Sequence, residues 1–268
     1  MRACVIGRGV GLEHIKGYEV AGVPVVANPD RMEPEEIRAG DYEILSIASP
    51  DQCHVNQAIA ALRQGIHVFC EKPASHNKKE LDRLDRAVRE SRATFEMNLP
   101  LIYHPVFVEL IAAMRRERPY FVEGSYNWGR REKMLSGWRA ECQPYSFMAA
   151  GGLHLMGVVE LGLISFDPFS GGPIMNNRWV NCGFWRTDEI ETASWEVGGV
   201  TVQITANFGY NGIHEQIMKA WFPSGCMEAR NRDQVCKWPA IPGFVETVRK
   251  QLPGYGRLPL YLNRVALG

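Results

Sequence analysis

Short apolar runs and amphipathic stretches alternate along the first 118 residues. Five runs read as buried strands: "RACVIG" (2–7), "VPVVA" (23–27), "YEILSIAS" (42–49), "IHVFCE" (66–71) and "ATFEMN" (93–98). They are rich in β-branched residues and stop at glycine, at "NPD" or at other polar residues, as strands bounded by turns do. Between them the apolar period lengthens. In "DQCHVNQAIAALRQG" the positions Val55, Ala58, Ile59 and Leu62 line one helical face, and Gly65 stops the helix. "NKKELDRLDRAVRESR" repeats this at Leu81, Leu84 and Val88, with Asn77 placed as N-cap, and "HPVFVELIAAMRRE" follows the fifth strand. Strands alternating with helices predict a parallel sheet covered on both faces, with its ligand at the carboxyl ends of the strands.

From residue 119 the pattern changes to long aromatic, β-rich stretches: 120–129, 178–187, 192–210 and 214–230, with period-two alternation at Val200, Val202 and Ile204. One helix, 151–164, interrupts them. This predicts two domains, 1–118 and 119–268, the second an α+β domain with an open mixed or antiparallel sheet. The helix at 152–164, helped by "PGFVETVRKQL" (242–252), covers one side of that sheet. Little chain remains for the other side, yet the strands carry Trp179, Phe184, Trp185, Trp195, Phe208 and Trp221. A bare aromatic face of that size predicts self-association, as a homodimer or a dimer of dimers.

The chain has 268 residues and a formal net charge of zero. Neutrality argues against a nucleic-acid partner, which requires a basic face. No apolar run approaches a membrane span or a signal h-region. Seven cysteines without a C-x-x-C spacing point to free thiols in a reducing cytoplasm and give no metal site.

Candidate chemistry collects at the strand ends. After the first strand comes "GRGVG", with Gly7, Arg8, Gly9, Val10 and Gly11. A dinucleotide fingerprint is G-x-G-x-x-G opening a helix. Here the third glycine arrives one residue early, since the full spacing falls on Leu12. The ribose-binding position at the end of the second strand is Asn28, which hydrogen-bonds hydroxyls but carries no charge to reject a 2′-phosphate. NAD and NADP therefore both stay open. At the end of the fourth strand stand Glu71 and Lys72, an acid and a base whose burial is costly without a task.

The stretch "ASPDQCHVNQAIAALRQGIHVFCEKP" (48–73) resembles the core signature of the glucose–fructose oxidoreductase, inositol dehydrogenase and MocA family. Ser49, Pro50, His54, Ala61, Leu62, Gly65, His67, Val68, Glu71, Lys72 and Pro73 carry the match. "NLPLIYHP" (98–105), "GWR" (137–139) and "AAGGL" (149–153) are weaker echoes. The resemblance implies a Rossmann domain followed by an open-sheet domain, and an NAD- or NADP-dependent oxidoreductase acting on a hydroxyl or carbonyl of a sugar-like small molecule. It implies that Ser49, Pro50, His54 and Glu71 line the cofactor and that Lys72 assists proton transfer. Asn98, Trp138 and Arg139 would border the nicotinamide and substrate. The chemistry agrees, because hydride transfer makes or consumes an alkoxide that needs a proton partner within hydrogen-bond reach.

One part of the family pattern is missing. Its members carry an Asp and a His one helical turn apart in the second domain. Here the two possible alignments place Leu155 and Val159, or Met156 and Glu160, at those positions. His154, at the start of that helix, is the imidazole available as a replacement catalytic residue. Tyr126, Trp128, Trp138 and Tyr145 either stack on a sugar ring or fill the second core. The missing pair leaves a second reading: a catalytically degenerate relative that binds a cofactor or a partner.

Overall fold

The computed structural model describes residues 1–134, 137–141, 145–163, 178–180, 190–209, 212–232, 240–250 and 263. It contains the five expected N-terminal strands: β1 (Ala3–Ile6), β2 (Val25–Ala27), β3 (Ile44–Ile47), β4 (His67–Cys70) and β5 (Phe95–Met97). All pair in parallel, in the order β2-β1-β3-β4-β5. β1, β3 and β5 are buried along their whole length, which is why these strands are continuously apolar. Three helices follow them: α1 (Gly11–Val20), α2 (His54–Arg63) and α3 (Lys78–Glu90). Val55, Ala58, Ile59 and Leu62 of α2 and Leu81, Leu84 and Val88 of α3 are all buried. The Asn77 side chain caps α3 by accepting from Lys79 N at 2.9 Å.

The fourth helix, α4 (Pro105–Arg116), belongs with the second half of the chain. There the strands are β6 (Phe121–Asn127), β7 (Arg178–Val180), β8 (Ile190–Val197), β9 (Val200–Asn207), β10 (Glu215–Phe222) and β11 (Gly225–Arg232). They form one mixed sheet, β11-β10-β6-β9-β8-β7, in which only β6 and β9 run parallel. Gly198 and Gly199, both at positive φ, make the two-residue turn of the β8–β9 hairpin. A short helix α5 (Trp138–Glu141) and a π-helical turn at Met148–Gly152 precede α6 (Leu153–Leu163), which packs on β6 and α4. The last described helix is α7 (Ala240–Arg249).

The compact units do not follow a single cut at 118/119. One comprises Met1–Pro100 with Cys236–Arg264, and the other Leu101–Val235 with Val265–Gly268. α4 leaves the first unit because its apolar face lies on α6 and β11. α7 was expected to cover the second sheet, but it packs on α1 and β4, with Phe244 5.2 Å from Phe69 between ring centroids.

The expected bare aromatic face is also corrected. Trp195 and Phe208 are buried, Trp195 on the face of the sheet that carries Val197, Val202 and Ile204. The outward face is largely polar, with Glu123, Ser125, Gln203, Thr205, Lys219 and Arg230 around a shallow depression. Of the expected aromatics, Trp221 lies outward, tilted against Phe121 at 5.2 Å. The side chain of Trp179, and Phe184 and Trp185, lie outside the described residues.

Candidate functional site

In the strand order β2-β1-β3-β4-β5 the order of the strands reverses between β1 and β3, and ligands of such sheets bind at the carboxyl ends beside that reversal. The residues arriving there are Gly7 after β1, Ala48–Pro50 after β3, Glu71 and Lys72 after β4, and Asn98 after β5. All but Trp138, Arg139 and His154 of the sequence-predicted site residues come from these strand ends, the adjoining glycine loop, β2's end or the start of α2.

The glycine loop is tightly specified. Gly7 has φ +96°, and a Cβ there would sit 2.3 Å from the Ala48 carbonyl oxygen. A Cβ on Gly11 would meet Val5 Cγ1 at 3.2 Å, so Gly11 supplies the close helix-on-strand packing expected of the third fingerprint glycine, one residue early. Gly9 has nothing within 4 Å of its Cβ position, and Arg8 and Gly9 are exposed. α1 opens at Gly11, so its first-turn N–H groups point out of the same loop.

Asn28 has a structural part beside the one expected. Its Nδ2 donates to Val5 O at 2.8 Å and Gly7 O at 3.1 Å, bracing the glycine loop. The amide hydrogens are thereby used, and Oδ1 remains as an acceptor for a hydroxyl. Ser49 Oγ donates to Gln57 Oε1 at 2.7 Å, and Gln57 reaches on to Met32 O at 2.7 Å.

His54 has a scaffold role. It is wholly buried, with Nδ1 2.8 Å from Pro73 O and Nε2 2.9 Å from Ser49 O. Both partners are carbonyls, so each contact is a hydrogen bond only where the ring nitrogen donates, which favours the doubly protonated ring. Burial opposes that charge, but the Cys70 sulfur, Asp51 and the Pro73 carbonyl outweigh it and push the pKa up to about 10. His54 thus ties the loop after β3 to the Lys72–Pro73 segment, whose peptide bond is cis. A second tie joins the same loops, His76 Nε2 to Asp51 Oδ2 at 3.0 Å.

Glu71 is 7% exposed and Lys72 half-buried. Glu71 Oε1 accepts from Asn98 Nδ2 at 2.6 Å and from His14 Nε2 at 3.0 Å. His14 Nδ1 lies 2.9 Å from Ser46 Oγ. Asn98 is 1% exposed, and its Oδ1 is buried without a hydrogen-bond partner. His14 was missed in the sequence. Its signal is a polar residue in the buried 11/14/18 stripe of α1, where Gly11, His14 and Tyr18 face the sheet.

In the second unit, the Arg139 guanidinium lies 4.3 Å from the Trp138 ring centroid and 5.8 Å from that of Trp128, a cation held between two indoles. Tyr126 and Tyr145 are core residues at 5% exposure each. His154 is 2% exposed and stacked on Tyr126 at 5.6 Å, while Tyr126 Oη meets His214 Nε2 at 3.1 Å. That packing makes His154 a core imidazole of the second unit. Leu155, Met156 and Val159 are wholly buried. Glu191 of β8 was also missed. Its carboxylate accepts from Phe147 N, Met148 N and Ser146 Oγ and so caps the π-helical turn leading into α6.

Among the described residues no helix is long and apolar enough to cross a membrane.

A parallel sheet with a glycine loop between β1 and α1 defines a dinucleotide-binding domain. Residues 11–99 match the model of the Gfo/Idh/MocA family, described as an oxidoreductase family with an NAD-binding Rossmann fold. It is 29% identical over 126 residues to the scyllo-inositol 2-dehydrogenase (NADP+) of Bacillus subtilis strain 168; the match covers 44% of this chain and 38% of that protein. Two solved structures share the fold. The myo-inositol 2-dehydrogenase of Lactobacillus plantarum has a TM-score of 0.80 at 12% identity, covering 99% of this chain and 94% of that one. The scyllo-inositol dehydrogenase of Lactobacillus casei, solved with NAD(H) and scyllo-inositol, has a TM-score of 0.74 at 10% identity, covering 98% and 94%.

The residues present fit a dinucleotide. The loop at Gly7 has no room for a side chain, Gly9 leaves open space for a pyrophosphate, and Asn98 Oδ1 is a buried acceptor in want of a donor.

Proposed function

We propose that this chain is an NAD- or NADP-dependent oxidoreductase acting on a hydroxyl or carbonyl carbon of a sugar-like small molecule. The observation that carries the reading is the placement of Glu71 and Lys72 at the end of β4, on the same edge of the sheet as the glycine loop and next to the orphan acceptor of Asn98. The names of the relatives, inositol dehydrogenases, favour a polyol over other alcohols.

Gly7, Gly9 and the first turn of α1 would hold the pyrophosphate. Asn28 Oδ1 would accept from a ribose hydroxyl, while Glu71 and Asn98 would border the nicotinamide. A bound nicotinamide supplies the hydride acceptor or donor. In the oxidation direction Lys72 assists removal of the substrate hydroxyl proton, and in the reduction direction it returns it. Trp138 and Arg139 belong to the substrate side in this reading, and His154 to the core of the second unit. Self-association through the outward face of the second sheet is part of the same reading, resting on Phe121, Trp221 and a polar surround rather than on an aromatic sheet.

Fluorescence titration with NADH and NADPH, followed by an absorbance screen of inositols, other polyols and nucleotide sugars, tests the assignment. Lys72→Ala is expected to lower turnover about 10²- to 10⁴-fold. Cofactor affinity should stay within about threefold, because general acid–base help acts on the reacting proton and not on cofactor binding. Full turnover in that variant would remove Lys72 from the proton-transfer role, and absence of binding to either nucleotide would sink the whole reading.

A further inference from the structure

His14 has no place in the reading above, yet its imidazole is wholly buried against Glu71. It is 0% exposed, with the Phe69 ring edge-on at 5.3 Å. Both ring nitrogens are used, Nδ1 toward Ser46 Oγ at 2.9 Å and Nε2 toward Glu71 Oε1 at 3.0 Å. A serine, a histidine and a glutamate in series also describe a nucleophile relay. Here Ser46 lies inside β3 at 0% exposure, so no substrate reaches its hydroxyl and that use is excluded.

What remains is orientation. Glu71 ends a strand, and its backbone N donates to Ile47 O at 2.8 Å, so its main chain is fixed by the sheet. The side chain still has three torsions to settle. Asn98 Nδ2 restrains Oε1 from the β5 side and His14 Nε2 from the α1 side. A carboxylate oxygen has no proton to offer, so Nε2 must carry one, and Nδ1 is positioned to take the Ser46 hydroxyl hydrogen. α1 also carries the glycine loop at its start, so one helix sets both the phosphate cradle and the carboxylate at the far edge of the nucleotide site.

The geometry points to His14 as the positioning residue for Glu71: through its Nε2–H it fixes the carboxylate that would border the nicotinamide, with Ser46 holding the ring in register. This inference rests on the dinucleotide-dependent reading of the site.

Three variants and one spectroscopic measurement test it. His14→Leu removes both nitrogens. His14→Gln keeps an amide donor near the Nε2 position. Ser46→Ala frees Nδ1. Affinity for NADH in His14→Leu is expected to fall about 10- to 100-fold, the scale of a misplaced binding group. His14→Gln should recover to within about threefold of the parent, because it restores the donor that carries the effect. Ser46→Ala should fall between them. Equal impairment in the Leu and Gln variants, or none in either, overturns the proposal, since packing alone would then account for the residue.

Nitrogen-15 spectra of histidine-labelled protein without cofactor give a readout independent of folding in the variants. The expected signature is a His14 ring with a protected proton on Nε2. A proton on Nδ1 alone would overturn the assignment. If the parent binds neither nucleotide, it is the functional reading that fails, and the spectrum still decides the His14–Glu71 bond.

Discussion

Gly7 and Gly9 lie two residues apart in one loop and answer to different constraints. A side chain on Gly7 would collide with the Ala48 carbonyl at 2.3 Å in a backbone region at φ +96°. A side chain on Gly9 would meet nothing within 4 Å. Gly7→Ala is therefore expected to destabilise the first unit, by about 1–3 kcal/mol from backbone strain alone. Gly9→Val should leave the denaturation midpoint unchanged and abolish NADH binding, because the open space is where the pyrophosphate approaches the backbone. Parent-like affinity in Gly9→Val would mean that the loop is a turn and nothing more. The spacing of the glycines was legible in the sequence, and so was the Glu71-Lys72 pair. The partners of polar side chains were not. Asn28 and His54 were recognised as site residues by position, but Asn28 turns back to Val5 and Gly7, and His54 spends both nitrogens on Ser49 and Pro73. Such choices depend on which carbonyls tertiary structure leaves unpaired, and periodicity carries no record of that.

Strands and helices announced themselves through period and stop signals, whereas the surface each helix covers did not. "PGFVETVRKQL" has an apolar face at Phe244, Val245 and Val248, and either sheet could accept it. The structure sends it to the first unit, where Phe244 is wholly buried against Phe69. Phe244→Ala is expected to cost about 3–5 kcal/mol, the range for deleting a buried phenyl ring. Urea denaturation reads this directly, and an unchanged midpoint would show that α7 contributes nothing to that core. Glu191 illustrates the same limit at a helix start. Capping rules look for an acceptor adjacent in sequence, but this carboxylate reaches Met148 N from 43 residues away on β8. The polar outward face of the second sheet followed from the pleat phase of each strand, which a one-residue error in register inverts.

At the scale of the molecule, the first unit is closed by chain that returns from the far end of the sequence. Asn263 donates to Ser75 O at 3.0 Å and accepts from Ser75 N at 3.2 Å, 188 residues apart. A boundary sought along the chain could not find this discontinuous unit, because composition changes once near 119 and gives no sign of the return. Ser75 follows the Lys72–Pro73 segment that His54 ties down, so the unit's stability and its site share one charged anchor. The folded unit holds a proton on His54 up to a pKa of about 10, against an ordinary value of 6.5. Between those two pH values the native state binds more protons than the unfolded one, so stability falls as pH rises. The contribution is fully present below 6.5 and gone once pH has passed about 10. Denaturation midpoints measured from pH 6 to 10 should decline in the parent, and His54→Asn should be less stable at pH 6 while losing most of that decline. A parent midpoint that rises or stays level across this window, with the variant parallel to it, would mean that His54 is neutral in the fold and that one of its two carbonyl contacts is not a hydrogen bond.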